Sequence, residues 1–365
     1  SMDYRRHIQL VFASTVLQGL WYLRNILLLP ILARCLGPEH YGVWTKLQAF
    51  TALLVPVGTL GIMEGVARFL PAATPAQRRP CFQAALLVTG AGGATMALFL
   101  VLGAKPLSAW LQVADGASGS APQQLWAGIG VMLLALQFAL LAVYYWRSRE
   151  RPMAYGLTVG FQTALLVAGA LASWACLGAT QWTPILAWGA GSALVAAASL
   201  AAAWRDARTA PAGDSAMSPP AAAEGALPVA PTVREAAAVM IRYGLPLVPM
   251  TSLVWIIHCS DRYLLAWLRP DLGNAAVGVY GANYSLAMMV AVVFGPFGLF
   301  FLPAAAKLWD AGDKAQVGHL ARQTVKYGLI AMLPVVLSAP VLGDAGVQWI
   351  AGAAFRADRT VILLV

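Results

Sequence analysis

The chain reads as an all-α polytopic membrane protein, and three observations predict it. Of its 365 residues, 60% are hydrophobic and only 11% are charged, where a soluble domain carries roughly one quarter charged residues. The apolar residues gather into ten stretches separated by short polar gaps. Lys and Arg crowd into every second gap, a pattern that fixes orientation in a bilayer.

Taken in order, spans are expected near residues 8–33, 41–63, 81–104, 123–146, 154–178, 182–204, 239–265, 277–302 and 324–342, and a tenth begins near Arg359. Each full span supplies about the twenty residues that cross a hydrocarbon core of roughly 30 Å at 1.5 Å per residue. Helices are required because they satisfy their own backbone where no water is available. The first stretch is too long for a cleaved signal peptide and is followed by Leu36-Gly37-Pro38, so it is expected to remain as an anchor. With the N-terminus in the cytoplasm, sixteen of the 24 basic residues fall on the inside, seven on the outside, and Arg24 lies within the first span. The net charge of +9 is therefore a topology signal, and nucleic acid is not an expected partner. Cys35, Cys81, Cys176 and Cys259 have no metal-type spacing, so neither a metal site, a cofactor nor a disulfide framework is expected. Tyr41, Trp44, Trp110, Trp126, Tyr144, Tyr145, Trp146, Trp182, Tyr280 and Trp349 cluster at expected interfaces and read as aromatic belts.

Between Trp204 and Ala236 the composition turns to Ala, Pro, Ser and Gly without apolar periodicity, as in a flexible linker. This predicts two lobes, residues 1–204 and 239–365, joined by a cytoplasmic linker at 205–238. A weak repeat agrees: LGPEHYGVW at Leu36 to Trp44 and LGNAAVGVY at Leu272 to Tyr280 align without gaps, 236 residues apart, with four of nine positions identical. Parallel lobes related by an axis along the membrane normal are a recurring transporter plan, with the substrate site near mid-membrane. If each lobe has six spans, the second is incomplete, since the chain stops inside the apolar run TVILLV. Ser1 ahead of Met2 reads as a cloning remnant or a misplaced gene start.

Charged groups inside spans cost about 2.5 to 3.5 kcal/mol each on insertion scales, so each needs a reason. Ser14, Gln18, Trp21, Arg24 and Asn25 share one arc of roughly 120° on the first helix. The stripe must face protein or water. Its functional reading is a cationic anchor for an anionic substrate, and its alternative is a structural arginine paired with a carboxylate. His258, Asp261 and Arg262 stand at i, i+3 and i+4 on the seventh span. At the repeat offset Asp261 corresponds to Asn25, which makes an Arg24 to Asp261 pairing across the lobes a hypothesis. Glu64 and Arg68 have the spacing of a helical salt bridge, with a cytoplasmic gate as the rival role. Arg242, followed by Gly244, Pro246 and Pro249, marks a breakable half of the seventh span, and Gly295 with Pro296 does the same in the eighth.

The segments LGPEHYGVW, TLGIMEGVARFLP, SDRYLLAWLRPDLGNAAVGVYGANYSLA and FFLPAAAKLWDAGD resemble those of the polysaccharide-export flippases. These O-antigen and exopolysaccharide translocases belong to the multidrug, oligosaccharidyl-lipid and polysaccharide exporter superfamily. The resemblance implies a two-lobed MATE-like transporter rather than an enzyme. It implies alternating access that moves undecaprenyl-diphosphate-linked oligosaccharide across the bacterial inner membrane, with membrane lipids and the polysaccharide polymerase machinery as partners. It also implies a cationic lumen for the diphosphate, carried over onto Arg24 and then Arg68, Arg242 and Arg262; Gln18, Asn25, His258 and Asp261 join these candidate binding residues by their helical spacing alone. A multidrug cation antiporter of the same fold would need more carboxylates within its spans. A membrane polysaccharide polymerase would need carboxylate pairs or an Asp-x-Asp motif, and neither pattern occurs.

Overall fold

A computed structural model describes residues 2–71, 73–112, 122–149, 151–209, 231–288 and 314–356. Among these residues the regular structure is entirely helical. The helices are α1 (Met2–Gly58), α2 (Ile62–Phe69), α3 (Pro75–Leu102), α4 (Ala104–Trp110), α5 (Pro122–Ser148), α6 (Pro152–Leu177), α7 (Trp182–Thr209), α8 (Val233–Gly244), α9 (Val248–Leu268), α10 (Gly273–Met288) and α11 (Lys314–Ala351). Four single helices, α3, α5, α6 and α7, together with the α8 to α9 run, are long and apolar enough to cross a membrane. The part of α1 from Leu27 onward makes a sixth candidate when joined to α2, from which it is bent by 60°. The protein is a multi-pass membrane protein. The end of the eighth expected span, with Gly295 and Pro296, and the whole of the tenth lie outside the described residues.

The chain divides into two compact units, one formed by Ser1–Gly42 with Asn274–Val365 and the other by Val43–Gly273. In the first unit, α1 is really two helices joined at Gly37, whose φ of 69° and ψ of 171° no L side chain adopts comfortably. Pro38 then opens the next helix, where its missing N–H costs nothing. The second copy of the repeat does the same thing: Gly273, 236 residues later, has φ 67° and ψ −172°. The copies also pack on each other. A Cβ on Gly42 would collide with the Asn274 carbonyl and come within 2.9 Å of the Gly278 nitrogen, and a Cβ on Gly278 would collide with the Pro38 carbonyl and come within 2.9 Å of the Gly42 nitrogen. Since 38, 42 and 274, 278 are equivalent positions of the repeat, the contact is reciprocal, as a local two-fold requires. The repeat is therefore present in backbone conformation as well as in sequence.

The second unit is built on α5. Gly130 of α5 meets Ala97 of α3, and Gly93 of α3 meets Leu134 and Gln137 of α5, so these helices run antiparallel. Gly128 lies on Trp182 and Gly189 on Met132, so α7 runs parallel to α5. Gly169 lies on Ala187, and the Thr158 and Ser199 hydroxyls are hydrogen-bonded at 2.7 Å, so α6 runs antiparallel to α7. These directions match successive crossings of a bilayer. Small residues at each contact bring the backbones close, which is how membrane helices gain packing energy without a hydrophobic driving force between them.

Two helical runs are broken, one of them where the sequence predicts it. At the end of α1, Thr59 turns its hydroxyl back onto the Val55 carbonyl at 2.9 Å, and Leu60 and Gly61 take positive φ before α2 starts. Between α8 and α9 the chain tightens into a 3₁₀ turn at Leu245–Leu247, where Gly244, Pro246 and Pro249 predict a break. The two breaks touch: Gly61 and Gly244 face each other with no room for a Cβ on either. From there α2 and α8 run side by side, closed by Gly65 against Met240 and by the edge-to-face pair Phe69 and Tyr243, 5.6 Å apart. The Thr232–Glu235 capping box starts α8.

The reciprocal glycine contact leads to an expected outcome. Gly42→Ala lowers the melting temperature of the purified protein, by a loss of about 1 to 3 kcal/mol from overpacking against a backbone that cannot step aside. Gly160→Ala, on α6 where a Cβ meets nothing within 4 Å, leaves it unchanged or slightly raised, because Ala favours helix over Gly.

Candidate functional site

Arg24 sits on the apolar first part of α1, and its residue is 9% exposed. It continues the line of Leu28, Leu32 and Leu36, all buried and four residues apart, so it shares the face that α1 turns inward. The helix backbone runs through Gln18 and Asn25, whose side chains lie outside the described residues. A guanidinium in this setting keeps its charge and offers a planar fork of donors, the geometry that grips phosphate oxygens from two sides.

The remaining expected site residues belong to the second unit and fall into two groups. Arg68 on α2 and Arg242 on α8 are both exposed and flank the Phe69–Tyr243 ring contact, so the pairing of α2 with α8 brings them to the same end of the unit. His258, Asp261 and Arg262 lie on α9, about 25 Å along the helix axis from Arg242 at 1.5 Å per residue. Within this second group His258 is exposed and Asp261 half-buried, while Arg262 is buried. Asp261 accepts the backbone N–H of Arg262 at 2.8 Å, and the Arg262 guanidinium points at the Cys259 sulfur, 3.9 Å away. Among the described residues no ion pair joins Glu64 to Arg68. Glu64 lies instead beside the Tyr144 hydroxyl of α5, because α2 leaves the axis of α1 at 60° and leans on α5.

Lys46, one of the seven basic residues expected at the outer span ends and loops, lies on α1 and is fully buried at 0% exposure. Its ammonium donates to the Leu111 and Gln112 carbonyls at 2.5 and 3.2 Å, closing the end of α4, a short helix that the apolar pattern does not reveal. The neighbouring backbone is fastened as well. Tyr263 donates to the Lys46 carbonyl at 2.8 Å, Trp267 donates to the Trp110 carbonyl at 3.0 Å, and Trp110 stacks on Tyr263 with ring centres 5.7 Å apart. This strap holds the half of α9 that carries Asp261 and Arg262. The aromatic belt needs correction here too: Trp44, Trp126 and Tyr145 are buried in protein, whereas Trp110 and Trp349 are exposed. An aromatic near a helix end satisfies the belt pattern whether it faces lipid or another helix.

Gln137 is a second residue that pattern reading passes over. It is fully buried in the middle of α5, and neither end of its amide has a hydrogen-bond partner among the described residues. It lies against Gly58 and Gly93, at the point where α1 ends before its bend. Among the described residues no group of three or more His, Cys, Asp or Glu side chains could hold a metal ion.

Helices of bilayer length, buried cationic groups and broken spans define a polytopic membrane protein. The chain belongs to the polysaccharide biosynthesis protein family, which it matches over residues 8–309. That stretch includes both copies of the repeat and every site residue named above. Neither the curated proteins nor the solved structures gave a match.

Replacing Lys46 by Met strands the buried Leu111 carbonyl and costs about 1 to 3 kcal/mol of stability, read as a lower melting temperature. Tyr263→Phe removes a single hydrogen bond and costs about 1 kcal/mol. In a Cys176→Ser background, both changes also speed alkylation of the buried Cys259 thiol, because the strap that closes over α9 is loosened.

Proposed function

We propose that this protein is a flippase that moves undecaprenyl-diphosphate-linked oligosaccharide from the cytoplasmic to the periplasmic leaflet of a bacterial inner membrane by alternating access, for O-antigen or exopolysaccharide synthesis. The proposal includes a cytoplasmic N-terminus and two lobes, 1–204 and 239–365, joined by the linker 205–238. The observation that carries it is Arg24, a cation buried on the inward face of an apolar helix in a member of a polysaccharide biosynthesis family. A diphosphate cannot enter hydrocarbon unaccompanied, and a fixed guanidinium replaces part of the hydration it leaves behind.

Arg24 is the anchor in this reading, with Gln18 and Asn25 as polar neighbours on the same helix. Arg68 and Arg242, exposed at the end where α2 and α8 pair, receive the headgroup. Arg262, with Asp261 and His258, serves the other end of its path. With an inside-negative potential, each negative charge moving outward gains about 2.3 kcal/mol per 100 mV, so export of an anionic headgroup is electrically favoured. The glycan and any coupling ion are set by groups beyond these charges.

Translocation of a fluorescent undecaprenyl-diphosphate oligosaccharide in proteoliposomes is the test. Arg24→Ala abolishes transport while the melting temperature stays within a few degrees of wild type, and Arg24→Lys, which keeps the charge but loses the fork, transports at an intermediate rate. Equal transport by Arg24→Ala and wild type would make Arg24 structural and remove the anchor from the proposal.

A further inference from the structure

The ends of α3, α5 and α7 that carry arginines are joined by a hub of rings. Phe82 of α3 lies 4.8 Å from Tyr145 of α5 and 6.1 Å from Trp204 of α7, centre to centre. One helical turn beyond each ring, at i±4, stands an arginine: Arg78 before Phe82, Arg149 after Tyr145 and Arg208 after Trp204. Four residues of helix advance about 6 Å, the step from hydrocarbon to the headgroup layer.

The cations at this rim differ in what holds them. Arg78 is buried at 3% exposure. Arg149 gives its Nε–H to Asp206 at 3.2 Å, and the Tyr145 hydroxyl donates to the same carboxylate oxygen at 2.8 Å. These groups tie the three helix ends together. The outer layer consists of Arg79, Arg147, Arg151 and Arg208, all exposed. Arg151 only grazes Asp206, at 4.0 Å. Arg208 lies over the Trp204 ring at 4.7 Å, which orients the guanidinium while its donors stay at the surface. Asp206 thus meets two arginines of this rim, Arg149 and Arg151.

α6 starts just after Arg151, which is its N-cap residue. Met153, Leu157 and Phe161 follow it on α6 at intervals of four residues, and all three are exposed. On a helix that crosses a bilayer this stripe faces acyl chains.

We propose that this rim is a binding surface for anionic phospholipid headgroups, with Arg151 and Arg208 as the principal phosphate contacts and the Met153–Leu157–Phe161 stripe as the seat of an acyl chain. Charge complementarity selects the occupant: zwitterionic headgroups leave the excess of cations uncompensated, whereas each phosphatidylglycerol or cardiolipin headgroup neutralises part of it, worth about 1 kcal/mol per basic residue near a charged surface. The proposal stands independently of what the protein transports.

The test uses the full chain purified in detergent, with melting followed as phosphatidylglycerol or phosphatidylcholine is titrated in. Phosphatidylglycerol raises the melting temperature of wild type by several degrees and phosphatidylcholine does not. The Arg151→Gln/Arg208→Gln variant loses at least half of that rise, Arg151→Lys/Arg208→Lys keeps most of it, and Arg269→Gln, at an exposed arginine paired with Asp271 elsewhere, keeps all of it. Equal shifts by the two lipids, a full shift in the Gln variant, or the same shift from inorganic phosphate alone would each overturn the proposal, the last by showing a site for soluble anions.

Discussion

Hydrocarbon offers no hydrogen bonds, and the architecture follows from that. Every backbone group within the membrane must find its partner inside the protein, so the described regular structure is helical and several breaks in it carry added hydrogen bonds. At the bend after α1, the Thr59 hydroxyl adds a second donor to the Val55 carbonyl, which already accepts the Thr59 N–H. At the end of α4, the Lys46 ammonium covers the Leu111 and Gln112 carbonyls. At the start of α8, the Thr232–Glu235 box serves the free N–H groups. The Gln137 amide stands outside this accounting, fully buried and unpartnered among the described residues, and it does so beside the bend.

The second constraint is distance. With lipid on one side and helix on the other equally apolar, helices associate by fitting closely. Gly42 with Gly278, Gly61 with Gly244 and Gly58 with Gly92 are approaches of backbone to backbone that a single methyl group would prevent. Two of these pairs lie at helix breaks or kinks. The positions where the chain changes direction are thus also positions where it is held from outside, so the bends are fixed in place by packing.

The apolar pattern makes the spans legible because hydrophobic length is a property of each segment alone. Residues 123–146 and 154–178 are expected, and α5 and α6 run 122–148 and 152–177. The break in the seventh span is legible for the same reason, since Gly244, Pro246 and Pro249 act on their own backbone. The separation of α2 from α1 is not, because TLGIME carries no proline and its turn depends on Gly61 meeting Gly244, 183 residues away. Of the site, the burial of Arg24 follows from its place on an apolar helix. The role of Lys46 does not, since its partners are carbonyls, which every residue has and which leave no mark in sequence. Glu64 and Arg68 show the limit of spacing rules: i and i+4 permit a salt bridge, and a tyrosine from another helix takes the carboxylate instead.

The Lys46 ammonium has a history as well as a location. Its carbonyl partners lie 65 and 66 residues further along the chain. A ribosome adding about 5 to 20 residues per second delivers them roughly 3 to 13 seconds after Lys46 itself. During that interval the second span holds a charge it cannot yet bury, and the growing chain must keep Lys46 near water or within the insertion machinery. The mature position of this helix is therefore reached late, after α4 has been made, and the order of synthesis becomes part of how the helix finds its depth.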